Sequence, residues 1–190
     1  MAGRIGIIGG SGLYEMHDVI GLREERVETP FGAPSDALIH ARLDDAALVF
    51  LPRHGRGHRF SPSEVPYRAN IWALKDAGCE WIISVSAVGS LLEEIVPGES
   101  VVLIDQFIDR TRARPNTFFE GGVVAHVSFG DPVCGTLRGY LLDAAHEVGR
   151  AEVHDGGTYV CIEGPAFSTR AESFLFRSWG ASVVGMTNLP

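Results

Sequence analysis

The sequence predicts a single α/β domain over residues 1–190, with a mixed central sheet flanked by helices. Short apolar runs alternate with segments of helical periodicity, which is the order expected of an α/β sheet. The chain has 190 residues, 45% of them hydrophobic and 21% charged, enough for one domain with a buried core. Polar and glycine-rich segments follow the predicted strands, and such sheets bind ligands at the carboxyl ends of their strands. We therefore expect these loops to form one site.

The segments predicted as strands are short apolar runs bounded by turn residues. They are residues 5–8, 37–41, 47–51, 81–87, 101–108, 158–162 and 182–186. The aspartates Asp44 and Asp45 predict a hairpin between the second and third of these segments.

Three segments are predicted as helices from their apolar periodicity. They are residues 67–77, 131–148 and 169–179. Asp131 suits the N-cap of the second helix and Gly149 its end, and Thr169 with Glu172 forms a capping-box pattern for the third. Residues 110–122 have no regular period and are predicted to form an irregular loop.

The densest positive charge of this acidic chain lies in one loop after a predicted strand. The formal net charge is −8, yet residues 53–59 contain three arginines, two histidines and two glycines. Arginine offers paired N–H donors that match phosphate oxygens, and glycine lets the backbone approach a ligand. The loop therefore predicts a phosphate-sized anion. The overall charge argues against nucleic-acid or membrane partners.

Three other interpretations of the basic loop remain open from the residues alone. It can be a solvated charge run, although its glycines and strand-end position disfavour that. Arg53-His54-Gly55 also occurs in histidine phosphatases, where the motif ends the first strand rather than a later one. His54 and His58 at helical spacing would suit a metal pair, but two glycines disfavour a helix and adjacent arginines repel a cation.

The glycine turn at residues 9–12 follows the first predicted strand. Its spacing does not fit a dinucleotide fingerprint, because Glu15 falls where the last glycine is needed. A glycine turn with the Ser11 hydroxyl can hold one phosphate, and a purely structural turn is an equal alternative.

Three further strand-end segments carry weaker signals. Residues 86–90 form a small-residue loop that can present N–H donors to an anion. Residues 163–168 combine an aromatic side chain with polar groups, as a flat heteroaromatic base requires. Met186 and Thr187 can supply an apolar floor and a hydroxyl. Phe167 is equally compatible with a core position, and a lone methionine such as Met186 is more often a core residue.

Together, these segments resemble the 5′-methylthioadenosine phosphorylase branch of the purine nucleoside phosphorylase family. The matching stretches are residues 7–13 (IIGGSGL), 53–58 (RHGRGH), 70–75 (NIWALK), 89–95 (GSLLEEI), 105–111 (DQFIDRT), 163–168 (EGPAFS) and 186–187 (MT). They span essentially the whole chain in the family's order. The resemblance implies a purine nucleoside phosphorylase-like α/β fold that is truncated at its C-terminal end.

The resemblance implies phosphorolysis of 5′-methylthioadenosine to adenine and 5-methylthioribose 1-phosphate. Inorganic phosphate is then a co-substrate, and no cofactor or metal is expected. The residues that match the family's phosphate set are Ser11, Arg53, His54, Ser86, Ala87 and Thr187. Those that match its nucleoside set are Phe167, Ser168, Met186 and His126. Arg53 and His54 are expected to position the phosphate, and His126 to reach a neighbouring subunit of a homotrimer.

The resemblance also marks what this chain does not contain. Relatives continue past residue 190 and carry there a strand-end aspartate pair that faces the purine. Ser168 stands where guanine-preferring relatives have a glutamate, which favours a methylthio-purine. The alternatives are a methylthioinosine or 6-oxopurine nucleoside phosphorylase and, in a different class, a non-catalytic nucleoside- or phosphate-binding module.

The cysteine content and the amino terminus predict a cytoplasmic protein. Cys79, Cys134 and Cys161 are an odd, widely spaced set with no disulfide framework. The apolar run after Met1 is too short for the core of a signal peptide, and no stretch approaches the length that spans a membrane.

Overall fold

A computed structural model describes residues 3–10 and 19–190. The chain divides into two compact units, Met1–Ser86 with Pro115–Phe118, and Ala87–Arg114 with Phe119–Pro190. The α/β class and the mixed sheet are confirmed. Hydrogen bonding sorts the described strands into three sheets, a division that the sequence did not predict.

The first unit is a five-stranded mixed sheet with one helix. Its elements are β1 (Arg4–Gly9), β2 (Ile20–Glu25), β3 (Leu38–Leu43), β4 (Ala46–Pro52), α1 (Tyr67–Asp76) and β5 (Cys79–Ser84). The strand order is β2-β3-β4-β1-β5, in which β4, β1 and β5 run parallel and β3 is antiparallel to both of its neighbours, β2 and β4. The predicted hairpin is present, with Asp44 at a φ of 49° in its turn.

Alternating apolar residues build the core of the first unit. Val49 and Leu51 point to one side, where they pack with Ala73 and Leu74 of α1. Leu48 and Phe50 point to the other side, where they pack with Ile39. Successive side chains of a strand point to opposite faces of the sheet, so a strand that is buried on both faces is apolar along its whole length. This packing fixes β4, and therefore the basic loop that follows it.

The second unit contains two small sheets and two helices. Its elements are β6 (Gly89–Ser90), β7 (Ser100–Leu103), β8 (Gln106–Arg110), α2 (Gly135–Val148), β9 (Glu152–Asp155), β10 (Thr158–Ile162), α3 (Arg170–Ser178) and β11 (Ala181–Gly185). One sheet has the order β6-β11-β10-β8, with β11, β10 and β8 parallel. The other pairs β7 with β9 in parallel.

Two predicted elements of the second unit are wrong in their bounds. The apolar run 101–108 is two strands of different sheets, because the chain breaks at Asp105, whose backbone and carboxylate both bond the backbone of Gly157. The second helix begins after Cys134 rather than at Asp131, since Cys134 is still extended at a ψ of 107°. The irregular loop is accordingly longer than predicted.

The third helix has the predicted start. The Thr169 hydroxyl accepts from the Glu172 N–H, and the Glu172 carboxylate accepts from the Thr169 N–H at 2.7 Å, which completes the capping box. In the described part of the chain, no helix has the length and apolarity needed to cross a bilayer.

Candidate functional site

Three parallel strands of the first unit end side by side at one edge of its sheet. The strands β4, β1 and β5 are parallel, and register pairs Gly9 with Pro52 and Ile8 with Ser84. The ladder continues one step beyond these pairs. The Arg53 N–H donates to the Gly9 carbonyl and the Val85 N–H donates to the Ile8 carbonyl, both at 2.9 Å. This is the edge at which ligands of parallel sheets bind.

Arg53 places a buried guanidinium at this edge. The residue is 5% exposed, and its Nη1 donates to the Val85 carbonyl at 3.1 Å. Val85 immediately precedes Ser86, so two residues of the predicted phosphate set are close to each other. A guanidinium held in a low-dielectric environment favours the approach of an anion.

His54 is also buried, and its ring has one nitrogen committed to the backbone. Nδ1 lies 2.8 Å from the Phe60 carbonyl, and a carbonyl only accepts, so Nδ1 carries the proton. The ring stacks on His58 with 4.2 Å between centroids. Burial lowers the pKa of His54 below its ordinary value, against the hydrogen bond to Phe60, and the nearby Arg53 and His58 lower it further. Nε2 is then the ring atom available to a ligand.

The other two arginines of the loop make different contacts. The Arg56 guanidinium forms an ion pair with Glu24 at 2.7 Å, and both side chains are about half exposed. The Arg59 guanidinium donates to the Ser35 carbonyl at 2.8 Å and lies 5.1 Å from the centre of the Phe60 ring. Arg53 and His54 are therefore the buried members of the loop, whereas the Arg56 side chain is about half exposed.

The remaining phosphate candidates fall in different places. Ser86 and Ala87 follow β5 in an irregular segment, and Ala87 begins the second unit. Ser11 lies outside the described residues. Thr187 lies in the second unit, where its N–H approaches the Tyr159 hydroxyl at 3.4 Å.

Two segments with nucleoside candidates follow neighbouring strands of the second unit. Phe167 and Ser168 follow β10, and Met186 and Thr187 follow β11. Because β10 and β11 are paired and parallel, both segments leave the same edge of the four-stranded sheet. Phe167 is 88% exposed, which excludes the alternative that it is a core residue of this unit.

Ser168 and His126 have distinct settings. The Ser168 hydroxyl lies 2.9 Å from the Ser173 hydroxyl of α3. His126 lies within a fully exposed irregular segment between β8 and α2. The segments that carry Phe167, Ser168, Met186 and Thr187 thus leave one edge of the same sheet, and His126 belongs to a separate segment.

A buried arginine behind this edge was missed by sequence reasoning. Arg114 is 7% exposed, and its guanidinium donates to the carbonyls of Leu189 at 2.7 Å and Glu163 at 2.8 Å. The Glu163 carboxylate in turn accepts from the N–H groups of Arg112 and Ala113. Arg114 therefore joins the segment after β10 to the segment after β11. The only sequence signal was an arginine inside a predicted irregular loop.

Among residues 3–10 and 19–190, no three His, Cys, Asp or Glu side chains cluster in a way that would hold a metal ion. The His54 and His58 rings stack face to face, and in this arrangement their nitrogens do not point at a common metal position.

Comparison with known proteins decides the family. A family model described as the phosphorylase superfamily matches residues 4–190. The chain belongs to the phosphorylase superfamily. A superfamily relative from Geobacter sulfurreducens, named S-methyl-5'-thioadenosine phosphorylase, is 64% identical over 187 residues, which are 98% of this chain and 65% of the relative. A relative of the same name from Gloeobacter violaceus is 56% identical over 189 residues, 98% of this chain and 63% of that relative.

Solved structures of superfamily members agree with this assignment. A methylthioadenosine phosphorylase from an antarctic soil metagenomic library superposes with a TM-score of 0.94 at 50% identity, covering 100% of this chain and 66% of that one. The Schistosoma mansoni methylthioadenosine phosphorylase in complex with tubercidin superposes with a TM-score of 0.92 at 41% identity, covering 100% and 75%. The predicted resemblance is confirmed. The chain spans just under two thirds of the length of the two curated relatives.

Proposed function

We propose that this protein catalyses the phosphorolysis of 5′-methylthioadenosine to adenine and 5-methylthioribose 1-phosphate. The observation that carries the proposal is the buried pair Arg53 and His54 at the carboxyl edge of β4, in a chain whose relatives are named for this activity. Inorganic phosphate is the co-substrate, and the reaction needs no cofactor.

The chemistry follows from the charge that the reaction develops. Cleavage of the N-glycosidic bond builds positive charge on the ribose, which an anion held against C1′ stabilises and then attacks. Arg53 supplies a buried cation and His54 supplies Nε2, so both serve to hold phosphate rather than to attack. Holding phosphate and nucleoside together removes most of the entropic cost of their encounter, on the order of 7–11 kcal/mol of the barrier.

The nucleoside contacts belong to the second unit in this proposal. Phe167 supplies an exposed aromatic ring for a purine face, and Ser168 a hydroxyl near the base. Met186 lies beneath the ribose, and Thr187 adds a hydroxyl for the phosphate. Ser11, Ser86 and Ala87 complete the phosphate set.

The proposal extends to assembly and location. His126, exposed on this chain, contacts the 5′-substituent of a nucleoside in a neighbouring subunit of a homotrimer. The protein is cytoplasmic, in keeping with three free cysteines at Cys79, Cys134 and Cys161.

A substrate panel tests the reaction. The protein is incubated with phosphate and, separately, methylthioadenosine, methylthioinosine, inosine and adenosine, and free base is followed. Phosphate-dependent release of adenine from methylthioadenosine is expected. Preference for methylthioinosine or inosine would replace the proposal by a 6-oxopurine phosphorylase. No base release from any nucleoside would exclude an enzyme of this class.

A matched pair of arginine variants tests the site. Arg53→Ala should raise the phosphate KM roughly ten-fold or more, because phosphate loses a charge-assisted hydrogen bond from the buried guanidinium. Arg56→Ala removes an equal charge from the same loop, where it pairs with Glu24 at the surface, and should change the phosphate KM less than two-fold. Equal effects of the two variants would assign the effect to the loop's overall charge and remove Arg53 from the site.

A further inference from the structure

The backbone at the start of the basic loop is held by a buried serine. The Ser35 hydroxyl donates to the Pro52 carbonyl at 2.7 Å, one residue before Arg53, and Ser35 is fully buried. The Ser35 N–H donates to Oδ1 of Asn70 at 2.8 Å. Asn70 is 2% exposed and lies in α1, which packs on the sheet core through Ala73 and Leu74. The start of the loop is therefore anchored, through Ser35, to a helix that packs on the sheet.

The middle and the end of the loop are held from the same short segment. The Asp36 carboxylate accepts from the Arg56 N–H at 2.6 Å through Oδ2 and from the Ala37 N–H at 2.8 Å through Oδ1. The Ser35 carbonyl accepts from the Arg59 guanidinium. Residues 35 and 36 thus contact the loop at its start, middle and end.

We infer that Ser35, Asp36 and Asn70 are positioning residues for phosphate, acting through the loop that carries Arg53 and His54. The inference rests on the proposed function. A buried polar group that loses its partner carries an unmet hydrogen bond, so each member of this network favours a single loop conformation. Binding geometry set in advance lowers the cost of ordering the loop when phosphate arrives.

The effect on substrate binding should be selective. The three residues contact the loop of the first unit, whereas the nucleoside candidates Phe167, Ser168 and Met186 lie in the second unit. A residue that merely stabilises the fold would change the binding of both substrates alike. A residue that positions Arg53 and His54 changes phosphate binding alone.

Two variants with a matched control test the inference. Ser35→Ala removes the hydroxyl that holds Pro52, and Asp36→Ala removes the carboxylate that holds the Arg56 N–H. Both should raise the phosphate KM and the calorimetric Kd for inorganic phosphate at least five-fold, with the methylthioadenosine KM changed less than two-fold. Asp36→Asn keeps one acceptor oxygen and should give an intermediate phosphate KM. Asp45→Ala, an equal charge loss in the exposed hairpin turn, should match wild type.

Each outcome decides between the inference and the function on which it rests. If wild type binds phosphate and both alanine variants stay within two-fold of it, the positioning role is wrong and the proposed function stands. An equal rise in both substrates' KM, with a lowered unfolding temperature, would also overturn it as general loosening. Wild type that neither binds nor requires phosphate would overturn the proposed function and this inference with it.

Discussion

Arg114 and Glu163 form an ion pair within the second unit, with 3.4 Å between Nε and Oε1. The Arg114 side chain is fully buried and that of Glu163 is 29% exposed. The same guanidinium donates to backbone carbonyls on both sides, at Glu163 and Leu189. A buried cation with several acceptors is stable only as long as those acceptors are kept.

Removal of this guanidinium should therefore destabilise the protein strongly. Arg114→Met keeps much of the side-chain volume but leaves Glu163 and two carbonyls short of a donor, at a cost on the order of 3 kcal/mol. Glu163→Gln keeps an acceptor oxygen for the neighbouring N–H groups and should cost less. Urea unfolding of both variants measures the difference.

A surface arginine of the same unit provides the control for this prediction. Arg177 approaches Glu93 at 3.8 Å with both side chains exposed, and Arg177→Met should change the free energy of unfolding by less than about 0.5 kcal/mol. Equal costs for Arg114→Met and Arg177→Met would show that the buried pair contributes no more than an exposed one.

The elements that the sequence predicted well depend on local signals. The strand at Thr158–Ile162 is a short β-branched run bounded by glycines and polar residues, and the capping box at Thr169 is complete within four residues. The second helix failed for the opposite reason. Its first turn is set by Arg138, which pairs with Asp155 and donates to the Leu103 carbonyl, and no local pattern at Asp131 reports those contacts.

Strands without an apolar pattern were missed altogether. The strand β2 is exposed along nearly its whole length, and β9 is only four residues long. The pairing of β2 with β3 and of β9 with β7 depends on partners distant in the chain. Periodicity detects burial, so an exposed edge strand gives little signal.

The candidate site shows the same division. Arg53 and His54 were predictable because charge density and glycines are visible within seven residues. Ser35 and Arg114 were not, because their partners lie 17 and 49 residues away in the sequence. The roles of these residues arise from tertiary contacts that no local pattern contains.

His54 should take up a proton when phosphate binds. Because burial lowers the pKa of His54 in the unliganded protein, its ring is neutral near pH 7, and Nδ1–H donates to the Phe60 carbonyl. A phosphate dianion near Nε2 favours the protonated ring, so binding raises this pKa and consumes protons. Phosphate affinity should therefore fall as pH rises through neutrality. Calorimetry in buffers of different ionisation enthalpy counts the protons.

A variant separates the histidine from the phosphate's own titration. His54→Gln keeps a donor for Phe60 and cannot titrate, so proton uptake should fall relative to wild type. The same uptake in both proteins would exclude His54 as the group that is protonated.

The lowered pKa has a second consequence, for folding. The unfolded chain, whose histidine has the higher pKa, binds more protons than the folded one. The contribution of His54 to stability is thus complete above the ordinary histidine pKa and is lost as pH falls through the lowered one. Without phosphate, urea unfolding from pH 7 to pH 5 should show a smaller loss of stability for His54→Gln than for wild type, and an equal loss would contradict the shift.

Gly55 and Gly57 lie in the same loop and differ in what surrounds them. Both have positive φ, 67° and 77°, so alanine at either position should cost about 1–2 kcal/mol in backbone strain. A Cβ at Gly55 would lie 2.9 Å from the Ser35 carbonyl and 2.7 Å from the Arg59 Nε, whereas a Cβ at Gly57 meets nothing within 4 Å.

Gly55→Ala must therefore push the loop away from Ser35 and displace the neighbouring His54, raising the phosphate KM more than Gly57→Ala does. Thermal unfolding and phosphate kinetics on both variants separate strain from displacement. Gly57→Ala should show the loss of stability that backbone strain alone causes, and Gly55→Ala should lose more stability and have the larger phosphate KM. Identical KM values would show that the loop accommodates the methyl group without moving His54.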